Sequence, residues 1–249
     1  MENVDNIDRV DNDVHVFDNG LRVYRRHVST VQAARYRITN LHEPIEEAWF
    51  CRLSLVEAGE FRFADVGAGI GYYSILLKLM RPSARVFCFE PLRQHAEYLE
   101  SNLRLNGIDR DTVAFFDVAV CDRVGRQAFH QEDFGSRLRA ESTSASNVVD
   151  TTTLEAIVEN TSGPLDLVKI DVQGDELRVI AGAGDAVSRI RGWIIGTHSH
   201  DLHHACLTEM RSRAFAILFE EEAPLYQPDG LIVAVSAEGG RDKAVLGHS

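Results

Sequence analysis

The sequence predicts an α/β protein built on a doubly wound, mostly parallel sheet with helices on both faces. Three observations predict it. From about residue 42, short apolar runs alternate with helical segments, the order that builds a parallel sheet buried on both sides. The first run leads through a glycine-rich turn into a helix, "FADVGAGIGYYS", and the second ends on an acid, Glu90.

Taken in order, "HEPIEEAWFCRLSLVEAG" has helical apolar spacing at Ile45, Trp49, Leu53 and Val56, with Gly59 as its stop. "FRFADVG" reads as a buried strand and "YYSILLKLM" as a helix ended by Arg81-Pro82. "ARVFCFEP" is the second strand, and "QHAEYLESNLRLNG" is a helix closed by Asn106-Gly107. "TVAFFDVAV" reads as one third strand. "DLVKIDVQG" is the fourth, with a helix through "DELRVIAGAG". "RGWIIGTH" is the fifth, followed by helix "DLHHACLTEMRSRA", and "FAILFE" and "GLIVAVS" close the sheet as a pair. Residues 122–153 break this rhythm: they are polar, rich in Ser, Thr and Arg, and long for a connection, as lids and binding loops are. "TTLE" at Thr152–Glu155 matches a capping box that restarts helix.

At 249 residues the economical organisation is a single domain over 42–236. An extension or hairpin over 1–41 precedes it, with a frayed acidic start over 1–13, and a polar tail over 237–249 follows it. No run of about 18 apolar residues exists, so no membrane span is expected. The acidic, polar start lacks the signal-peptide pattern, which makes a cytoplasmic location the expectation. Cys51, Cys88, Cys121 and Cys206 form no C-x-x-C pair, so reduced thiols and no cysteine-built zinc site are expected. A net charge of −12 argues against nucleic-acid binding. The stretch Arg22–Arg37 carries five arginines and no acid. It reads as a solvated hairpin, with a docking surface for an acidic substrate as the sharper alternative.

Gly67, Gly69 and Gly71 let the backbone turn sharply and a ligand approach it closely. Glu90, at the end of the second strand, is placed to accept ribose hydroxyls. The spacing is G-x-G-x-G, with Tyr72 where a dinucleotide fingerprint has its last glycine. Asp65, two residues before the loop, would repel a pyrophosphate at the helix N-terminus. It suits the ammonium group of S-adenosylmethionine, which has a ribose and a sulfonium and no phosphate.

"DVGAGIGYYS" resembles motif I of the class I S-adenosylmethionine-dependent methyltransferases. Together with "EP" at Glu90-Pro91, "VAV" at Val118–Val120, "TTTLEAI" and "LVKIDVQGDE", the chain is similar to the FkbM-type branch over roughly residues 42–236. The resemblance implies the seven-stranded methyltransferase fold and O-methylation of a hydroxyl on a small molecule, sugar or natural-product intermediate. It implies cofactor contacts at Asp65, Gly67, Ala68, Gly69, Tyr72, Glu90, Pro91 and the edge Asp117, Val118 and Ala119. Two positions depart from the branch: Gln173 stands where Glu is usual, and the fifth strand ends on Thr197-His198.

Ligands in such sheets sit at the carboxyl ends of the strands. Lys169, Asp171 and Gln173 share one face of the fourth strand. Asp171 is the expected substrate contact, and Lys169 its partner or a group pointing into the sheet. His198, at the end of the fifth strand, is the expected general base. His203 and His204 read as a solvated helix start capped by Ser199 or Asp201. No metal site is assigned, since magnesium prefers all-oxygen ligands; a divalent metal on Asp171 and His198 is possible but not indicated. The rival readings are an NAD(P)-dependent oxidoreductase and a non-catalytic S-adenosylmethionine-binding protein. A base methyltransferase is disfavoured because "DVQG" lacks an Asn/Asp-Pro-Pro-Tyr-like end.

Overall fold

The computed structural model describes residues 13–55, 59–130, 137–139 and 147–236. The expected frayed start, apart from Asp13, and the polar tail over 237–249 lie outside the described residues. Strands β1 (Val14–Val16) and β2 (Arg22–Tyr24) form an antiparallel hairpin, followed by helices α1 (Thr30–Thr39) and α2 (Pro44–Leu55). Then come β3 (Arg62–Val66), α3 (Tyr72–Met80), β4 (Arg85–Phe89), α4 (Arg93–Leu105) and β5 (Val113–Phe116). A second sheet uses β6 (Ala119–Val120), β7 (Gly125–His130), β8 (Arg137–Arg139) and β9 (Asn147–Thr152). The chain returns through α5 (Leu154–Asn160), β10 (Leu167–Ile170), α6 (Glu176–Ala181) and β11 (Gly192–Thr197). It finishes with α7 (His200–Ser212), β12 (Ala216–Glu221) and β13 (Gly230–Val235).

The central sheet has seven strands in the order β12-β13-β11-β10-β3-β4-β5. Its first five strands in sequence, β3, β4, β5, β10 and β11, run parallel, and β13 lies antiparallel between β11 and β12. The strands are apolar on both faces because helices cover both. Phe63, Leu167, Ile194 and Val233 pack with Phe50, Ile75, Leu99 and Leu103 on one side. Their neighbours Ala64, Val168, Trp193 and Ile195 pack with Leu154, Val179, Cys206 and Met210 on the other. This is the period-two alternation of a strand with two buried faces.

Several expectations need correction. The run "TVAFFDVAV" is two strands: β5 pairs with β4, whereas β6 leaves the main sheet and pairs with β9. An apolar run carries no sign of which sheet its residues join. The 122–153 insertion is not one irregular loop, since β7, β8 and β9 occupy much of it, and residues 131–136 and 140–146 lie outside the described residues. The helix cap is Thr153 rather than Thr152, its side chain accepting from the Ala156 N–H at 3.1 Å. The arginine-rich segment begins in the β1–β2 hairpin and leaves Arg22, Arg25, Arg26 and Arg37 exposed, but it is only partly solvated: Val23 and Tyr36 are buried in the main core, and Ser29 and Gln32 start α1 with a reciprocal capping box. All four cysteines are free thiols. Among the described residues no helix is long and apolar enough to cross a membrane.

Candidate functional site

In the central sheet β3 pairs with β4 on one side and β10 on the other. The order in which successive parallel strands are added to the sheet reverses there, which opens a crevice at the carboxyl ends of the strands. The turn after β3 is set by Gly67, at φ +80°; a Cβ there would stand 1.9 Å from the Asp171 carbonyl oxygen, on the loop after β10. Gly67→Ala is therefore expected to cost at least about 3 kcal/mol, combining a strained backbone with overpacking, read as a lowered denaturant midpoint. The Glu90 carboxylate holds the loop: Oε2 accepts from the Gly69 N–H at 3.0 Å and Oε1 from the Leu92 N–H at 2.9 Å. A carboxylate has about four acceptor positions, so two remain for a diol.

A cavity of about 460 Å³ occupies the crevice. The predicted Asp65, Gly67, Ala68, Gly69, Glu90 and Pro91 line it, as do Ala119 and Tyr72. Asp117 and Val118 do not line it: Asp117 is exposed, and Val118 packs against the core below the sheet. The chain has already left β5 there, so Val120 joins Ala119 at the cavity instead. Asp65 is buried, with Oδ2 accepting from Ser74 Oγ at 2.6 Å, and burial raises its carboxyl above the usual range. The Tyr72 hydroxyl donates to Glu47 Oε2 at 2.6 Å and accepts from Asn19 Nδ2 at 2.7 Å. It ties the N-terminal segment to the sheet, and its ring, stacked on His42 at 4.4 Å, faces the cavity.

Lys169 is the electrostatic centre. Its Nζ lies 3.2 Å from Glu46 Oε1 and 3.3 Å from Asp171 Oδ2, above the Tyr73 ring. Only 2% of the residue is exposed, so it acts through its carboxylate neighbours. Burial pushes Glu46 up to about 8 and Glu43 up to about 7, with Lys169 opposing both. Burial would raise Asp171 as well, but Lys169 and His198 outweigh it and hold that carboxyl at about 2. Six carboxyl side chains, Glu43, Asp65, Glu90, Asp171, Asp175 and Asp229, line the cavity against two permanent cations, Arg35 and Lys169. Such a wall favours a positively charged ligand and repels a phosphate.

His198 follows β11 directly. Its Nδ1 is 2.8 Å from Glu176 Oε1, and its Nε2 is 3.3 Å from Asp229 Oδ1 and 3.5 Å from Asp171 Oδ1. Burial disfavours the imidazolium, yet Glu176 and Asp171 prevail and raise the group to about 9. With its proton affinity raised and its side chain outside the cavity lining, His198 is poorly placed for the expected role of general base. His203 is also not a solvated helix residue: it is buried, with Nδ1 2.8 Å from Thr197 Oγ1. His204 is exposed, and Ser199 caps α7 as expected, accepting from the Leu202 N–H at 3.3 Å.

Sequence reasoning missed much of the opposite wall. Ser29, Gln32 and Arg35 of the arginine-rich segment line the cavity, with His42 and Glu43 from the turn before α2. Phe129 of the insertion reaches it too. Glu176 stood in the quoted "DVQGDE" without a role. Asp229 was masked by the turn-like "QPDG"; it enters because antiparallel β13 begins where β11 ends, Gly230 pairing with Thr197.

The strand order, the antiparallel insertion and the cradle after β3 define a class I methyltransferase fold. The chain belongs to the FkbM methyltransferase family: the methyltransferase FkbM domain matches residues 65–217. It is 29% identical over 163 residues to the 2-O-methyltransferase NoeI of Sinorhizobium fredii, a match spanning 56% of this chain and 64% of NoeI. A shorter match, 42% identical over 59 residues, joins it to the ribosomal RNA small subunit methyltransferase G of Mycolicibacterium vanbaalenii, covering 24% of this chain and 26% of that one. In solved structures it is similar to the methyltransferase FkbM from Methylobacillus flagellatus, with TM-score 0.54 and 15% identity over 72% of this chain and 44% of that one. With a ribosomal RNA methyltransferase among the relatives, the exclusion of nucleic acid from net charge lacks support.

Proposed function

We propose that this chain binds S-adenosylmethionine at the carboxyl ends of β3 and β4 and methylates a hydroxyl of a small molecule, sugar or natural-product intermediate. The observation that carries the reading is the cradle of Gly67–Gly69 and Glu90 set in a wall with six carboxyl groups. A nucleoside bearing a sulfonium and an ammonium group relieves that excess of negative charge, whereas a dinucleotide pyrophosphate increases it. The relative NoeI is named for 2-O-methylation, which supports a hydroxyl acceptor.

S-adenosylmethionine supplies an activated methyl group. The chain must hold the acceptor in line and remove its proton. Glu43 suits the second task, because it lines the cavity and burial has moved its carboxyl up to about 7, close to the working pH of a general base. Asp171, kept ionised beside Lys169, suits hydrogen bonding to the acceptor or the cofactor's ammonium group.

Thermal denaturation tests the cofactor. S-adenosylhomocysteine at about 100 times its Kd is expected to raise Tm by roughly 5–10 °C, with NAD leaving it unchanged. Stabilisation by NAD alone overturns the reading in favour of an oxidoreductase. Methyl transfer from labelled S-adenosylmethionine to hydroxylated small molecules, with ribosomal RNA assayed in parallel, separates the acceptor classes. Cofactor binding without transfer to any acceptor would indicate a non-catalytic binding protein.

A further inference from the structure

We infer that Asp171, His198 and Asp229 form a binding site for one divalent first-row metal ion at the floor of the cavity. Their ligand atoms lie within 4.8 Å of one another, close enough for a single ion to bridge all three. Each comes from a different part of the sheet: Asp171 follows β10, His198 follows β11, and Asp229 precedes β13.

The imidazole is oriented as a metal ligand is. Its Nδ1 faces Glu176 Oε1 at 2.8 Å, and that carboxylate is fully buried and fixed by the Gly174 N–H at 3.0 Å. A carboxylate behind one ring nitrogen turns the other nitrogen toward the metal. Here that nitrogen, Nε2, points between Asp171 and Asp229 and is a buried atom with no hydrogen-bond partner, although both carboxylates lie within 3.5 Å. Asp171 is braced as well: Oδ2 faces Lys169 Nζ at 3.3 Å, and Oδ1 accepts from Gln173 Nε2 at 3.1 Å. Gln173 holds the left-handed backbone region, φ 59°, a conformation retained where the surroundings enforce it. A glutamate there would crowd a further charge against Asp171, whereas the amide donates to it.

One imidazole and two carboxylates form a mixed nitrogen–oxygen set, which suits Mn²⁺, Fe²⁺ or Zn²⁺ better than Mg²⁺ or Ca²⁺. Asp171 and Asp229 both line the cavity, so the open coordination positions face the acceptor. An acceptor with two neighbouring oxygens, a vicinal diol, is the class such an ion would select. This last step rests on the methyl-transfer reading; the binding of the ion does not.

The test is titration of the full chain with Mn²⁺, following loss of the free-ion electron paramagnetic resonance signal. The exposed trio His200, His204 and Glu222 could also hold an ion, so the titration is run in parallel on a His200→Ala/His204→Ala double variant. One Mn²⁺ per chain is expected in both proteins. Asp229→Asn and His198→Gln are expected to abolish tight binding, and Glu176→Gln to weaken it about 10- to 100-fold. Selective paramagnetic broadening of the His198 imidazole resonance by Mn²⁺ needs no variant and covers the case in which one fails to fold. Absence of Mn²⁺ binding, or binding that survives Asp229→Asn but is lost in the surface double variant, overturns the site. S-adenosylhomocysteine binding measured on the same samples reports separately on the methyltransferase reading.

Discussion

Lys169→Met is expected to destabilise the protein by about 3–5 kcal/mol at alkaline pH, the cost of leaving buried charges without their partner. The ammonium group touches Glu46 and Asp171 and neighbours Glu43 and Asp65, so its loss strands several carboxyls. The effect should depend on pH in a defined direction. Glu46 is raised to about 8 in the fold, so its neutral form is favoured there and any stability from holding its proton fades as pH rises toward 8. At pH 5.5 Glu46 and Glu43 are already protonated, so fewer stranded anions remain, Asp171 chief among them. Urea midpoints of the wild type and Lys169→Met at pH 5.5 and 9 should therefore diverge more at pH 9. Equal loss at both pH values would mean that Lys169 contributes packing rather than charge pairing.

Glu43→Gln is expected to lower kcat/KM by about 10²- to 10⁴-fold, the usual contribution of a positioned base. In the wild type kcat/KM should rise with pH through about 7, as Glu43 loses its proton, and level off above it. That acid limb should vanish in Glu43→Gln, while Tm in the presence of S-adenosylhomocysteine changes little. His198→Gln should leave the limb in place.

The parts of the site that were legible in the sequence are those whose function depends on local chain geometry. The turn after β3 needs glycine, the strand before it must be apolar, and an acid at the next strand's end lies within a short, regular distance of the loop. Asp65, Gly67, Glu90 and Asp171 could therefore be placed by position in a βαβ pattern. Asp117 and Val118 lie away from the cavity lining because a continuous apolar run hid a change of sheet between β5 and β6. The histidine cluster misled in the opposite direction. His198 stood out by residue type, but its raised proton affinity comes chiefly from Glu176 and Asp171, 22 and 27 positions away.

By itself the sequence determined the alternation of strands and helices, the glycine turn after the first buried strand and the sign of the charge that surrounds it. Only the tertiary structure decided the strand order, the antiparallel entry of β13 that delivers Asp229, and the folding of the N-terminal segment over the cavity. The physical reason is range. Propensity, capping and period act over a few residues and leave a mark on the sequence. The pairing of Lys169 with Glu46, or of His198 with three carboxylates, arises where distant segments meet in a desolvated space, and there burial, which no local pattern records, sets each proton affinity.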